Sequence, residues 1–118
     1  APEPEIAFSD DTPAVFNDEA LTERVVTAIG NELGDDRLLL AERSMGGEDF
    51  SRYGLAGVPS CLFRLGVVAP QRLDEYAHKG QSAPSLHSAE FYPEPRESLR
   101  IGVRATVAAL IDLLPPKL

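Results

Sequence analysis

The stretch Val58-Pro59-Ser60-Cys61-Leu62-Phe63-Arg64-Leu65-Gly66-Val67 decides the fold. It is apolar along most of its length, opens through a proline and closes beside a glycine. That pattern belongs to an interior strand, covered on both faces, rather than to an alternating half-buried one. We read it as the central strand of a layered domain. Upstream, Leu38-Leu39-Leu40-Ala41 is a second short apolar run, consistent with a buried strand, although periodicity alone does not separate it from a piece of buried helix. Between the two, Ser44-Met45-Gly46-Gly47 breaks the pattern, and Glu48-Asp49 places negative charge where a helix start favours it. A helix of one or two turns reaching about Tyr53 is expected there.

Further upstream, Ile6 and Phe8 alternate within Glu5 to Ser9, between prolines and the turn residues Asp10-Asp11-Thr12-Pro13, which predicts a short strand followed by a turn. Asn17 or Asp18 can accept a hydrogen bond from the free amides of a following helix. Its apolar face would be Leu21, Val25, Ala28, Ile29 and Leu33, and Gly34 would end it. Downstream of the central strand, Ala69 to Pro84 mixes Pro, Gln, Lys, Gly and Ser without a sustained period and reads as a long surface loop. Glu94 or Pro95 then opens a helix with Leu99, Val103, Val107, Leu110 and Leu114 as its apolar stripe, stopped by Pro115-Pro116. The order strand, helix, strand, short helix, strand, long helix predicts an α/β layered architecture, and no internal repeat or low-complexity tract interrupts it.

The bulk numbers bound the function. At 118 residues the prior is one domain with a modest core. Hydrophobic and charged fractions of 43% and 25% are ordinary globular values, so neither disorder nor a membrane class is favoured. A formal charge of −8 repels phosphate backbones and anionic lipid surfaces, so neither nucleic acid nor membrane is expected as a partner. The longest mainly apolar stretch, Val103 to Leu114, carries Arg104 and Asp112 and falls short of the roughly 20 residues of a bilayer span. A single cysteine, Cys61, allows no intramolecular disulfide and says nothing of redox compartment. The chain opens on Ala1-Pro2-Glu3-Pro4 without methionine, so an N-terminal signal is not observable. Localisation stays open, with the cytoplasm the default.

Few residues offer chemistry. His87, in Leu86-His87-Ser88 at the end of a loop, presents an imidazole suited to ligate zinc or to act as a base, or merely to hydrogen-bond a carbonyl. Gly46-Gly47-Glu48-Asp49-Phe50 joins two permissive residues to a helix start, where unpaired amides hold a carboxylate and acidic side chains cap. An ordinary turn with a charged cap has the same pattern. His78, beside Lys79 in a polar segment, reads as solvated, and Cys61, in an apolar strand, as a buried inert thiol. No phosphate-cradling loop, paired-cysteine zinc motif or nucleophile elbow is present. A hydrolytic zinc site takes about three protein ligands, a water and a general base, and the sequence supplies one candidate ligand and no catalytic group.

In combination these motifs resemble a known family. Met45-Gly46-Gly47-Glu48-Asp49-Phe50, Val58-Pro59, Phe63-Arg64-Leu65-Gly66, and Leu86-His87-Ser88 with Phe91 are similar to the C-terminal signature of the N-acyl-amino-acid amidohydrolases. These form the hippurate hydrolase and auxin-conjugate hydrolase branch of the aminoacylase and carboxypeptidase zinc metallopeptidases. Pro13-Ala14-Val15-Phe16-Asn17-Asp18 also resembles the segment by which that family returns to its catalytic domain after an inserted lid domain.

The resemblance implies a zinc-peptidase-like α/β catalytic domain of the phosphorylase/hydrolase kind, incomplete here without its N-terminal part. Residues 1–11 would end the lid or dimerisation domain, and residues 12–118 would be the C-terminal portion of the catalytic domain. It implies two divalent metals per intact site (zinc, manganese, nickel or cobalt), with His87 the one ligand from this end and the general base elsewhere. Gly46 and Gly47 would approach the substrate, an N-acyl amino acid or related peptide-like amide, while Glu48 and Asp49 support the loop. The intact enzyme would be a homodimer and the isolated chain silent and prone to self-association. The alternative is a stand-alone module that kept the fold for binding or assembly without catalysis.

Overall fold

A computed structural model describes residues 3–7, 11–44 and 46–114. The helix expected after Asn17-Asp18 is α1, Glu19–Leu33. Asp18 is its N-cap: the backbone is extended there and its carboxylate accepts the Leu21 amide at 2.8 Å. At the other end Gly34 takes φ +95° and returns its amide to the Gly30 carbonyl, a backbone conformation that disfavours any side chain. A 3-10 turn, Asp35–Arg37, follows. Three further helices are α2, Ser51–Leu55, α3, Pro70–His78, and α4, Pro95–Leu113.

α1 and α4 form the body of the molecule. Arg24 binds the Asp112 carboxylate and carbonyl, and Arg104 binds the Glu32 carboxylate and carbonyl, so early α1 meets late α4 and the pair is antiparallel. Between them lies a core of Val25, Ile29, Ala105 and Ala109, with Leu21, Leu33, Leu38, Cys61 and Leu113 packed at its margin. The small side chains on α4 let the helices approach closely. The same face carries Gly102, where an added Cβ would sit 3.0 Å from Leu65, so residues 60–67 run against the helix pair. The Glu94 amide donates to the Val67 carbonyl at 2.7 Å and fastens the far end of that run to the start of α4.

The expected strands are not formed among the described residues. Val58–Val67 and Leu38–Ala41 are irregular, as are Glu5–Ala7, while Phe8 to Asp10, Met45 and Pro115-Pro116 lie outside the described residues. A strand exists through the ladder it makes with a neighbour, and the described residues supply no neighbouring run to complete one. Leu39 and Leu40, expected inside, are 90% and 100% exposed for the same reason.

Two further expectations are corrected. Within the supposed loop from Ala69 to Pro84, residues 70–78 form α3. Pro70 stands at its first turn, where a missing amide is harmless. Arg72 anchors it by donating to the Tyr92 carbonyl and lying over the Tyr92 ring, 5.1 Å from the centroid. On α4 the stripe Leu99, Val103, Val107 and Leu110, with Leu114 at its C-cap, is exposed, and the buried residues are Ser98, Ala105 and Ala109.

The consequence is an open, flat molecule. Its extents are 69 × 45 × 20 Å, and its radius of gyration is 18.6 Å, against about 13.5 Å for a closed domain of this length. The accessible surface is 10307 Å², where a self-contained chain of 12.8 kDa exposes about 6,300 Å². No described helix is long and apolar enough to cross a membrane.

Candidate functional site

Two separate regions hold the residues singled out by sequence. The first gathers around α2. The Gly47 backbone lies so close to Thr12 that a Cβ there would meet the Thr12 side chain at 3.0–3.2 Å, whereas at Gly46 the nearest atom would be 3.9 Å away. Glu48 is half-buried and turns its carboxylate onto the Phe50 amide at 3.3 Å, while its carbonyl accepts the Ser51 amide. α2 therefore starts at Ser51, later than its charge pattern suggests, with Glu48 capping from outside the helix. Asp49 is exposed and gives its backbone carbonyl to Arg52. Arg52 reaches the Asp11 carbonyl at 2.6 Å and its carboxylate at 3.6 Å, which ties α2 to the segment that also carries Thr12.

Beside this motif is an apolar hollow of about 170 Å³ lined by Ala14, Val15, Phe16, Phe50, Leu55 and Ser60, among others. Ser51 also lines it and is buried, its hydroxyl without a hydrogen-bond partner among the described residues. The tilted rings of Phe50 and Tyr53, 5.3 Å apart, stand at the same helix. Neither the hollow nor the buried hydroxyl is legible in the sequence, because both depend on residues 14–16 folding back over α2.

The second region is the turn at Leu86-His87-Ser88. The Ser85 carbonyl accepts the Ser88 amide, the Ser88 carbonyl accepts the Phe91 amide, and the Ser88 hydroxyl accepts the Glu90 amide at 3.1 Å. These three bonds fold consecutive residues into tight turns and leave His87 at an exposed apex, its ring without a hydrogen-bond partner among the described residues. Among the described residues no hydrogen bond or ion pair joins His87 to Gly46, Gly47, Glu48 or Asp49. Nor do three or more His, Cys, Asp or Glu residues among those described converge where a metal ion could sit. The described residues thus fit a metal as one donor, and do not by themselves close a site. His78, at the end of α3, bonds through Nδ1 to the Asp74 carbonyl one turn earlier, and Cys61 borders the core.

Asn17 holds an unforeseen place. Its side-chain amide donates to the Leu62 carbonyl and its oxygen accepts the Leu62 amide, both at 2.9 Å. One position on, the Asp18 amide donates to the Ser60 carbonyl at 2.8 Å. The turn before α1 thereby imitates a strand neighbour and fixes one edge of residues 60–62. The paired Asn17-Asp18 at a helix start is the only sequence signal for it, and that signal also fits an ordinary cap.

The described residues thus combine helices backing an irregular apolar run with two exposed histidines, His78 and His87, and a glycine-acidic helix start. Comparison with known proteins gives the class directly: the model of peptidase family M20/M25/M40 matches residues 3–110. The chain belongs to this peptidase family, whose members are in general metal-dependent hydrolases. Among curated proteins, a stretch of 63 residues, 53% of the chain, is 41% identical to the Rhodococcus jostii (strain RHA1) protein named "Putative glutamate--cysteine ligase 2-3". The chain spans 8% of that protein's length, and the name describes the whole protein. No solved structure matches.

Proposed function

We propose that this chain is the C-terminal share of a metal-dependent amidohydrolase of the hippurate and auxin-conjugate hydrolase branch, acting on N-acyl amino acids or similar peptide-like amides. The observation that carries the reading is the family match from residue 3 to residue 110, which takes in the glycine-acidic helix start and the Leu86-His87-Ser88 turn together. The surface excess over a closed domain supports an α/β layer whose remaining strands come from elsewhere in a longer polypeptide.

In the reaction, water adds to the amide carbonyl and the C–N bond breaks, leaving a carboxylic acid and the free amine of the amino acid. A divalent metal supplies Lewis acidity to such reactions, and His87 is the residue of this chain that would hold one. Zinc, manganese, nickel and cobalt all accept an imidazole. Of the chain's other residues, Gly46 and Gly47 keep the loop free of side chains where substrate approaches. Glu48 holds that loop against α2 through the Phe50 amide, and Asp49 adds negative charge beside it.

The test is His87→Ala in a full-length family member that contains this sequence. Metal content and turnover of an N-acyl amino acid should both fall severely, while the 118-residue chain alone should show neither turnover nor tight metal binding. Normal metal occupancy and a normal rate in the variant would remove the assignment.

A further inference from the structure

The glycine pair Gly46-Gly47 has an arginine anchor on each flank. Before it, the Ser44 hydroxyl accepts from the Arg64 guanidinium at 2.9 Å, which ties the chain there to the apolar run. After it, Arg52 of α2 donates to the Asp11 carbonyl at 2.6 Å and has the Asp11 carboxylate at 3.6 Å. Both flanks are thus held by segments distant in sequence, while the glycines have no side chains with which to hold themselves.

The stretch between the anchors is partly fixed as well. Thr12, next to Asp11, stands behind Gly47, its Cβ 3.0 Å from where a Gly47 Cβ would lie. Glu48 accepts the Phe50 amide through its carboxylate and the Ser51 amide through its carbonyl, and the Asp49 carbonyl accepts the Arg52 amide. Thr12, Gly47, Glu48, Arg52 and Asp11 therefore close a circuit of contacts and bonds. Gly46 is outside it: the residue is exposed, and an added Cβ would find only the Ser44 hydroxyl, at 3.9 Å. The loop has one glycine backed by protein and one open to whatever approaches.

Glycine loses more conformational freedom on ordering than any other residue, and two in succession compound the loss. A loop that is in its binding shape for only part of the time weakens the apparent affinity by that fraction. Anchors at both ends raise the fraction before a ligand arrives. We propose that Arg52 and Arg64 are positioning residues that hold the Gly46-Gly47 loop in its substrate-receiving shape. This rests on the reading that the two glycines approach the substrate, and adds what keeps them in place. Each guanidinium acts through the chain it binds, not on the substrate. Arg52 is the stronger anchor, because it meets both a carbonyl and a carboxylate where Arg64 meets a neutral hydroxyl. Both anchors are exposed, so water tempers them and the effect of losing one is several-fold.

The experiment uses a full-length family member that contains this sequence, with turnover of an N-acyl amino acid and native-state hydrogen exchange measured on the same variants. Arg52→Ala should raise KM roughly three- to ten-fold, and Arg64→Ala about two- to five-fold. In each, kcat should stay within about two-fold, because saturating substrate restores the ordered loop. The Phe50 and Ser51 amides, both bonded to Glu48, should lose protection in Arg52→Ala. Arg52→Lys keeps a donor for the Asp11 carbonyl and should recover most of the original KM. Arg37→Ala, which removes an exposed arginine paired with its neighbour Asp36, should leave KM unchanged. A general loss of folded enzyme lowers apparent kcat and spares KM, and that result would overturn the proposal. So would a KM as high in Arg52→Lys as in Arg52→Ala, the mark of a guanidinium that binds substrate directly. Loosened amides with an unchanged KM would remove Gly46 and Gly47 from the substrate and the proposal with them. Unchanged amides with an unchanged KM would overturn the arginine anchors and leave the substrate reading standing.

Discussion

Asn17→Ala removes two hydrogen bonds in one truncation, the donation to the Leu62 carbonyl and the acceptance of its amide, each 2.9 Å long. A neutral intramolecular bond of this kind contributes about 0.5–1.5 kcal/mol net. The Leu62 groups are exposed enough for water to replace the lost partner, so no buried unsatisfied group adds to the loss. The expected change is therefore about 1–2 kcal/mol in local opening, a five- to thirty-fold loss of protection at the Leu62 amide. Asn17→Asp sharpens the test, since it keeps the acceptor for the amide while setting a carboxylate against the Leu62 carbonyl. It should retain part of the amide protection yet be no more stable than the alanine variant. The Asp18 cap on Leu21 should survive in both, so α1 helicity stays. Native-state hydrogen exchange resolves these positions one by one. Unchanged Leu62 protection in Asn17→Ala would refute the idea that this side chain substitutes for a strand neighbour.

Two more perturbations follow from local geometry. Gly47→Ala drives a Cβ against Thr12 at 3.0–3.2 Å and should destabilise by about 1–3 kcal/mol, while Gly46→Ala, with 3.9 Å of room, should change the thermal midpoint little; equal effects would refute the close approach. Glu97 accepts from Arg100, and that hydrogen bond holds its carboxyl below the usual glutamate range although it is exposed. A depressed carboxylate contributes stability above its unfolded pKa and loses it as pH falls through its folded value. Protection factors of the first hydrogen-bonded amides of α4, taken relative to intrinsic exchange, should thus fall under acid and lose that dependence in Glu97→Gln.

What the sequence disclosed and what it hid divide along one physical line. The start of α1 at Asp18, its face of Val25 and Ile29 and its end at Gly34 were legible, because capping and glycine stops are local chemistry. The span of α4 was legible too, but its buried face was not. Periodicity reports which residues are apolar and is silent about which face finds a neighbour. Here the buried face of α4 is the small one: Ala105 and Ala109 pack with α1, while Ser98 bonds the Val67 carbonyl and Gly102 lies under Leu65. α3 escaped notice because no apolar stripe marks it, and its anchor is a contact between Arg72 and Tyr92 twenty residues away. Of the site, the glycine-acidic helix start and the His87 turn could be read as motifs. The hollow beside Ser51 and the Asn17 clamp are products of chain path alone.

That same line explains why the larger apolar residues point outward. A helix whose small face is buried and whose large face is bare has its cheaper contact made and its more stabilising one still open, since each Leu or Val fully buried contributes about 1.5–3 kcal/mol. Leu99, Val103, Val107 and Leu110 of α4 and Leu114 at its C-cap keep much of that burial unused, while Ala105 and Ala109 are half of the buried core. At the backbone level Ser60 and Leu62 are bonded to Asp18 and Asn17, and Val67 to Glu94, while among the described residues no hydrogen bond engages the backbone of Phe63 to Gly66. A metal site would need further groups as well, because no three or more His, Cys, Asp or Glu side chains converge among the described residues.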